Sequence, residues 1–247
     1  MRLVFRTVMA LAAVAACWQA VVWLFQPPRF ILPGPAAVGA ALIEQRHYLG
    51  LHASITVAEI VLGLLFGGLA GILTALLLAG MPAFRHVMWP VLLVLQALPV
   101  FAIAPLLVLW FGFGLASKVV MASLIIFFPV ASAFADGLQR TSRDLLDAAS
   151  LTQATSLATL LLVRVPSALP SLGSGLRVAA VFAPIGAVIG EWVGSSRGLG
   201  FVMLQANARM QTETLFAALM ILATLTIALR FLVDALTRHL TPWAHES

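Results

Sequence analysis

Charge is what this chain has least of. Only 9% of its 247 residues are Asp, Glu, Lys or Arg, against about 25% in a soluble domain. Hydrophobic residues make up 62%, and mean hydropathy is +1.07. Too little polar surface exists to cover a globule, which excludes a soluble protein. The apolar runs are continuous rather than alternating, which excludes a β-barrel. A single cysteine, Cys17, excludes a disulfide framework and a thiolate metal site. The sequence has no G-x-x-x-x-G-K-[ST] phosphate loop, no H-E-x-x-H and no G-x-S-x-G. Catalysis is therefore not expected, nor a cofactor or a metal. The five histidines (His47, His52, His86, His239, His245) lie near span ends or in loops and read as interfacial side chains.

What is present is hydrocarbon in span-length pieces. A span needs about 20 apolar residues. Runs at 7–25, 53–80, 87–110, 119–134, 172–193 and 215–236 meet that length or approach it. The expected class is all-α: a polytopic transmembrane bundle of about six spans. Residues 1–247 read as one membrane domain, with its core at about 53–240 and a cytoplasmic loop at 140–170. Val14-Ala15-Ala16-Cys17, after Arg2 and Arg6, looks like a lipoprotein cleavage box, but the apolar run continues to Phe25. An uncleaved first span is expected.

The net charge of +5 would suggest nucleic acid in a soluble protein; here the basic residues read as topology determinants. Six spans with both termini cytoplasmic put Arg2, Arg6, Arg85, Arg140, Arg143, Arg164 and Arg238 inside. Arg29, Arg46, Lys118, Arg197 and Arg209 then lie outside. The three arginines of loop 140–170 decide the orientation.

That loop is the longest polar interruption. Thr141 or Ser142 can cap a helix start, and Asp144 suits the positive end of its dipole. Asp147-Ala148-Ala149 offers a small close-contact surface. Pro166 and Pro170 are expected to stop the helix and return the chain to the membrane.

Two spans carry glycines spaced by four: Gly63, Gly67 and Gly71, then Gly186, Gly190 and Gly194. This spacing stacks them on one helix face and lets another backbone approach. Tight packing within one subunit is the plain reading; a subunit interface or moving gate is the sharper one. Glu59, Gln96 and Glu191 stand in apolar surroundings and, with Trp192, are candidates to line a pathway. Glu191 could instead pair with Arg197, Glu59 could be an interfacial carboxylate, and Gln96 could bond backbone freed by a kink at Pro99. Asp136 could pair with Arg177 or Arg140. Trp23, Trp89, Trp110, Trp192 and Trp243 suit an aromatic belt.

The order Asp147-Ala148-Ala149, Ala154, Pro166, Pro170 and Gly175-Leu176-Arg177 resembles the EAA motif of bacterial ABC importer permeases. Trp110-Phe111-Gly112-Phe113-Gly114, Gly190-Glu191-Trp192-Val193-Gly194, Gly198-Leu199-Gly200 and Leu32-Pro33-x-Pro35 are similar to the nitrate, sulfonate, taurine and thiamine-precursor branch. Within that branch, 206–212 resembles hydroxymethylpyrimidine permeases. The resemblance implies an ATP-driven importer in the bacterial inner membrane. It implies a coupling helix formed by Asp144, Asp147, Ala148, Ala149, Gln153, Ala154 and Pro166. It also implies three partners: a separate ABC ATPase, a periplasmic or lipid-anchored substrate-binding protein, and a second permease copy. ATP hydrolysis would belong to the ATPase chain. Two positions depart from the motif. Asp147 stands where Glu is usual, and Gln153 where Gly is usual, so the helix is expected to continue past 153 or turn differently. Taurine, an aliphatic sulfonate or nitrate are alternative substrates. An ion-coupled secondary transporter is the alternative of another class. It would show internal symmetry and midplane carboxylates, and neither is evident in the sequence.

Overall fold

The computed structural model describes residues 2–97 and 99–243, except the side chains of 2–8, 10, 11, 82, 83, 93 and 95–97. It is an all-α polytopic bundle. In chain order its helices are α1 (Arg2–Phe25), α2 (Pro35–Glu44), α3 (Arg46–Gly80), α4 (Pro82–Ala97), α5 (Val100–Phe111), α6 (Leu115–Gln139) and α7 (Arg143–Leu151). Then come α8 (Ser156–Thr159), a π-turn (Leu160–Arg164), α9 (Val165–Gly194), α10 (Leu199–Ala208) and α11 (Thr212–Leu240). Four helical stretches are long and apolar enough to cross a membrane: Arg46–Gly80, Leu115–Gln139, Ser156–Gly194 and Thr212–Leu240. The expected span at 87–110 is two helices, α4 and α5, with Pro99 at the break as the N-cap of α5 in extended backbone (φ −67°, ψ 105°). A proline has no N–H to donate back into a preceding helix, and α5 starts afresh after Pro99.

α6 is the axis of the bundle and packs chiefly against α3 and α9. Small residues make that approach possible. A Cβ added at Gly63 on α3 would lie 2.5 Å from the Cβ of Ala122 on α6, and one at Gly67 would lie 2.6 Å from Ser123 O. From the other side, a Cβ at Gly186 on α9 would lie 2.8 Å from Ala122 Cα. Ala122 is thus gripped between two glycines of different helices and is fully buried. Further along the glycine face, Gly190 meets Lys118 and Gly194 meets Val108 of α5. Ile126, Val130, Phe134 and Leu138 on α6 continue the core toward the loop end. A second cluster joins Val38 and Ala41 of α2 to Leu49, Leu199, Val202, Ala217 and Ala218 at the other end.

Pro166 and Pro170 do not stop a helix. The helical path begins at Ser156 and runs through both to Gly194. The π-turn over Leu160–Arg164 ends two residues before Pro166, which occupies the first turn of α9. The wider turn and the first-turn position tolerate the missing N–H of Pro166. Pro170 lies inside α9, and the Ser174 hydroxyl donates to the Pro170 carbonyl at 3.2 Å.

Candidate functional site

Two regions carry the polar chemistry, one at each end of the bundle. At the loop end, α6 finishes at Gln139, whose side-chain oxygen accepts from Arg85 at 2.8 Å. The Arg140 amide closes the helix by bonding the Asp136 and Gly137 carbonyls. The predicted side-chain cap does not form. Thr141 is buried and its hydroxyl donates backward to Leu138 O at 3.2 Å, and Ser142 takes the N-cap position without a side-chain bond. The hydroxyl that does cap is Thr155, which accepts the Ala158 amide at 3.2 Å to start α8.

α7 displays Asp144, Asp147 and Ala148 to solvent and buries Ala149. Asp144 lies in its first turn, where the helix dipole favours an anion. The helix does not run on through Gln153. It ends at Leu151, with Gln153 at φ +53° in the left-handed region. The Gln153 amide bonds Ser150 O at 3.0 Å and the Ala154 amide bonds Ala149 O at 3.3 Å. This pair of bonds is the Schellman arrangement, which glycine usually serves. Glutamine therefore makes the same stop as glycine would, with backbone strain. Behind α7 a cleft of about 550 Å³ runs between Leu146, Ser150 and Ala154 on one side and Ala79, Gly80, Leu160 and Arg164 on the other.

At the opposite end, two helices, α3 and α9, converge on the start of α10. The Gly198 amide donates to His52 Nδ1 at 2.9 Å, and the Leu199 amide donates to Thr56 Oγ1 at 2.8 Å. The Gly200 amide donates to Glu191 Oε2. Thr56 Oγ1 in turn donates to Glu191 Oε1 at 2.6 Å. A helix start leaves its first amides without internal partners. Here His52 and Thr56 of α3 and Glu191 of α9 supply them from distant parts of the chain. Gly198 is required twice over: its φ is +107°, and a Cβ there would overlap the Glu191 carboxyl. One turn along α3 from Thr56, Glu59 is fully buried, and Lys118 Nζ of α6 lies 3.8 Å from its Oε1.

Several sequence expectations change here. Glu191 accepts from Thr56 and Gly200 and makes no ion pair with Arg197 among the described residues. Lys118, counted with the outer topology charges, is 6% exposed and is the cation facing Glu59. His52 is buried rather than interfacial. Arg177 pairs with Asp234 of α11 at 2.9 Å, not with Asp136. Trp192 is half exposed beside buried Glu191. The side chain of Gln96 and the whole of His245 lie outside the described residues. Lys118, Thr56 and His52 escaped the sequence reading because their partners are remote in sequence, at separations of up to 146 residues.

The amides of Gly198, Leu199 and Gly200 are all answered by His52, Thr56 and Glu191, while the buried oxygens of Glu59 accept no hydrogen bond and face the Lys118 ammonium. Among the described residues no group of three His, Cys, Asp or Glu could hold a metal ion. What these bonds can do is fix the α9–α10 connection to α3.

The chain matches the family described as the inner membrane component of binding-protein-dependent transport systems over residues 60–245. It is 52% identical over 217 residues to a probable ABC transporter permease protein of Haemophilus influenzae, covering 88% of this chain and 89% of that one. It is 36% identical to the riboflavin transport system permease protein RibX of Chloroflexus aurantiacus, over 92% of this chain and 85% of that one. It is 34% identical to the formylaminopyrimidine transport permease protein ThiX of Halalkalibacterium halodurans, over 87% and 86%. The fold is shared with the inward-facing MetNI methionine ABC transporter at a TM-score of 0.68 and 20% identity, covering 78% of this chain and 97% of that chain. A polytopic helical chain matched over that length belongs to the inner-membrane permease subunits of binding-protein-dependent ABC importers.

Proposed function

We propose that this permease forms half of a substrate pathway, pairs with a second copy of itself, and takes its driving force through α7 from a separate ATPase chain. The observation that carries this reading is the solvent face of α7. Asp144, Asp147 and Ala148 are exposed on a short helix whose C-terminal end is fixed by backbone bonds and whose inner side is seated through Ala149. An exposed methyl flanked by carboxylates suits close contact with a groove on another protein. Arg85, Arg140, Arg143 and Arg164 gather at this end, in keeping with cytoplasmic placement of the loop and of both termini. Gln153, Ala154 and Pro166 act in this reading by shaping the exit from α7. At the other end, α10 and its neighbours meet a periplasmic or lipid-anchored substrate-binding protein. Trp192 lines the pathway in this reading, and Gln96 is a pathway candidate from the sequence alone. Glu59 and Glu191 influence it through the helices they tie together.

The substrate in this reading is a thiamine precursor of the hydroxymethylpyrimidine type. The segment 206–212 supports it, as does similarity to one relative named for formylaminopyrimidine transport. The relative named for riboflavin transport also points to a nitrogen heterocycle.

Ala148→Glu tests the coupling role. The variant should fold and insert normally, lose copurification with the cognate ATPase and lose ATP-dependent uptake in proteoliposomes. Undiminished ATPase association and uptake would remove α7 as the docking helix. The substrate is tested on the binding protein encoded beside this chain. A hydroxymethylpyrimidine should raise its melting temperature, and a response to taurine, a sulfonate or nitrate alone would overturn the choice.

A further inference from the structure

We propose that a cavity between α4, α5, α6 and α9 seats the flat ring of a nitrogen heterocycle as it crosses the permease. The cavity holds about 350 Å³, within the range of small-ligand sites. Phe127 and Phe128 of α6 and Phe182 of α9 put three phenyl groups on its wall. Aromatic faces of this kind stack well on another flat ring.

The backbone supplies the second half of the argument. Every side chain on the wall is apolar, so the polar surface of the cavity is backbone. Two of the lining residues have incomplete helix bonding. Pro129, itself on the wall, lies inside α6 and has no N–H for the Ile125 carbonyl one turn before it. None of the described side chains donates to that carbonyl. Val100 is the first residue of α5, which starts without a side-chain cap, so its amide has no partner within the helix. An unmet polar group against an apolar cavity is costly. A lipid tail would fill the volume and satisfy neither group. A flat ring with an amino group beside a ring nitrogen offers a donor to the carbonyl and an acceptor to the amide, and stacks on the phenyl groups. An aminopyrimidine is such a ring. That this ring is the transported one rests on the pyrimidine reading above; the preference of the cavity for an amino-bearing ring does not.

Saturation-transfer NMR on the full-length permease in lipid nanodiscs tests it, with neither binding protein nor ATPase present. The probes are hydroxymethylpyrimidine carrying its amino group and the analogue with hydrogen in that place. The amino-bearing probe should bind about tenfold more tightly. Phe128→Leu should weaken both probes about fivefold. Pro129→Ala gives the Ile125 carbonyl back its helical partner, so it should abolish the preference and leave binding of the analogue unchanged. Phe30→Leu, at an exposed position off the cavity wall, should alter neither probe. Absence of binding, wild-type affinity in the Phe128→Leu variant, or an intact preference in the Pro129→Ala variant would each overturn the proposal. Pro129→Ala only makes α6 more regular, so it keeps the test decisive where Phe128→Leu fails to fold. A binding protein that ignores pyrimidines, beside a permease that still prefers the amino-bearing probe, would sink the substrate reading and leave the cavity standing.

Discussion

The hydroxyl of Thr56 on α3 lies 2.6 Å from a carboxylate oxygen of Glu191 on α9 and accepts the Leu199 amide of α10 at 2.8 Å. One hydroxyl therefore links three helices. Removing it leaves both a buried amide and a carboxylate oxygen short of a partner. Thr56→Val should destabilise by about 1–3 kcal/mol, and Glu191→Ala by at least as much. Thr56→Ser should be close to wild type. Thermal unfolding of the purified permease in detergent checks the order. A Thr56→Val protein melting with wild type would show that the link contributes nothing.

Gly198 is a sharper case, because two physical objections act on one position. Its φ of +107° is open in practice only to glycine, and an added Cβ collides with Glu191. Gly198→Ala should destabilise by more than about 2 kcal/mol. Combining it with Glu191→Ala should relieve the collision but not the backbone strain. The double variant should then be less damaged than the two losses added together. Strict additivity of the melting shifts would show that the two residues do not meet.

Gln153 makes a prediction of the opposite sign. A non-glycine residue in left-handed backbone is strained by roughly 1 kcal/mol. Gln153→Gly should slow hydrogen exchange at the Gln153 and Ala154 amide positions, because their bonds to α7 become easier to hold. Gln153→Val should speed it. Unchanged protection in both variants would contradict the observed turn.

Ala122 lies between Gly63 and Gly186 with no space on either side. Ala122→Val adds two methyl groups where α3, α6 and α9 are closest. Overpacking of this kind costs about 1–3 kcal/mol. The valine variant should show reduced membrane yield and a lower melting temperature, while valine at exposed Ala148 should leave both unchanged. Equal behaviour of the two would refute the close approach.

The spans were legible because their signal is local: apolar length and glycine spacing sit within one helix. The loop was legible in outline for the same reason, since Asp147-Ala148-Ala149 and the charges around it are contiguous. Its details were not. Pro166 and Pro170 looked like stops because a proline in a regular helix removes a bond. The π-turn at Leu160–Arg164 is a property of the neighbouring turn and leaves no residue-type signature. Gln153 pointed to a continued helix or a different turn because it is not glycine, yet the backbone bonds to Ser150 and Ala149 hold it in the turn that glycine would make. At the other end the polar residues were visible, but their partners were not. Glu59 meets Lys118 across 59 positions, and Thr56 meets Glu191 across 135. A tally of charges by loop assigned Lys118 to topology, because such a tally has no knowledge of which helices touch.

One feature of the fold bears on how the two ends communicate. α6 starts three residues before Lys118 and ends four residues before α7 begins. At 25 residues it is about 37 Å long, and glycine contacts clamp it from both sides. α7 follows one tip of it, and Lys118 lies near the other. A tilt of a few degrees imposed at Arg140 becomes a displacement of an ångström or more at Lys118, without any intervening loop to absorb it. The end that carries α7 and the cluster that holds the start of α10 are then the two ends of one helix.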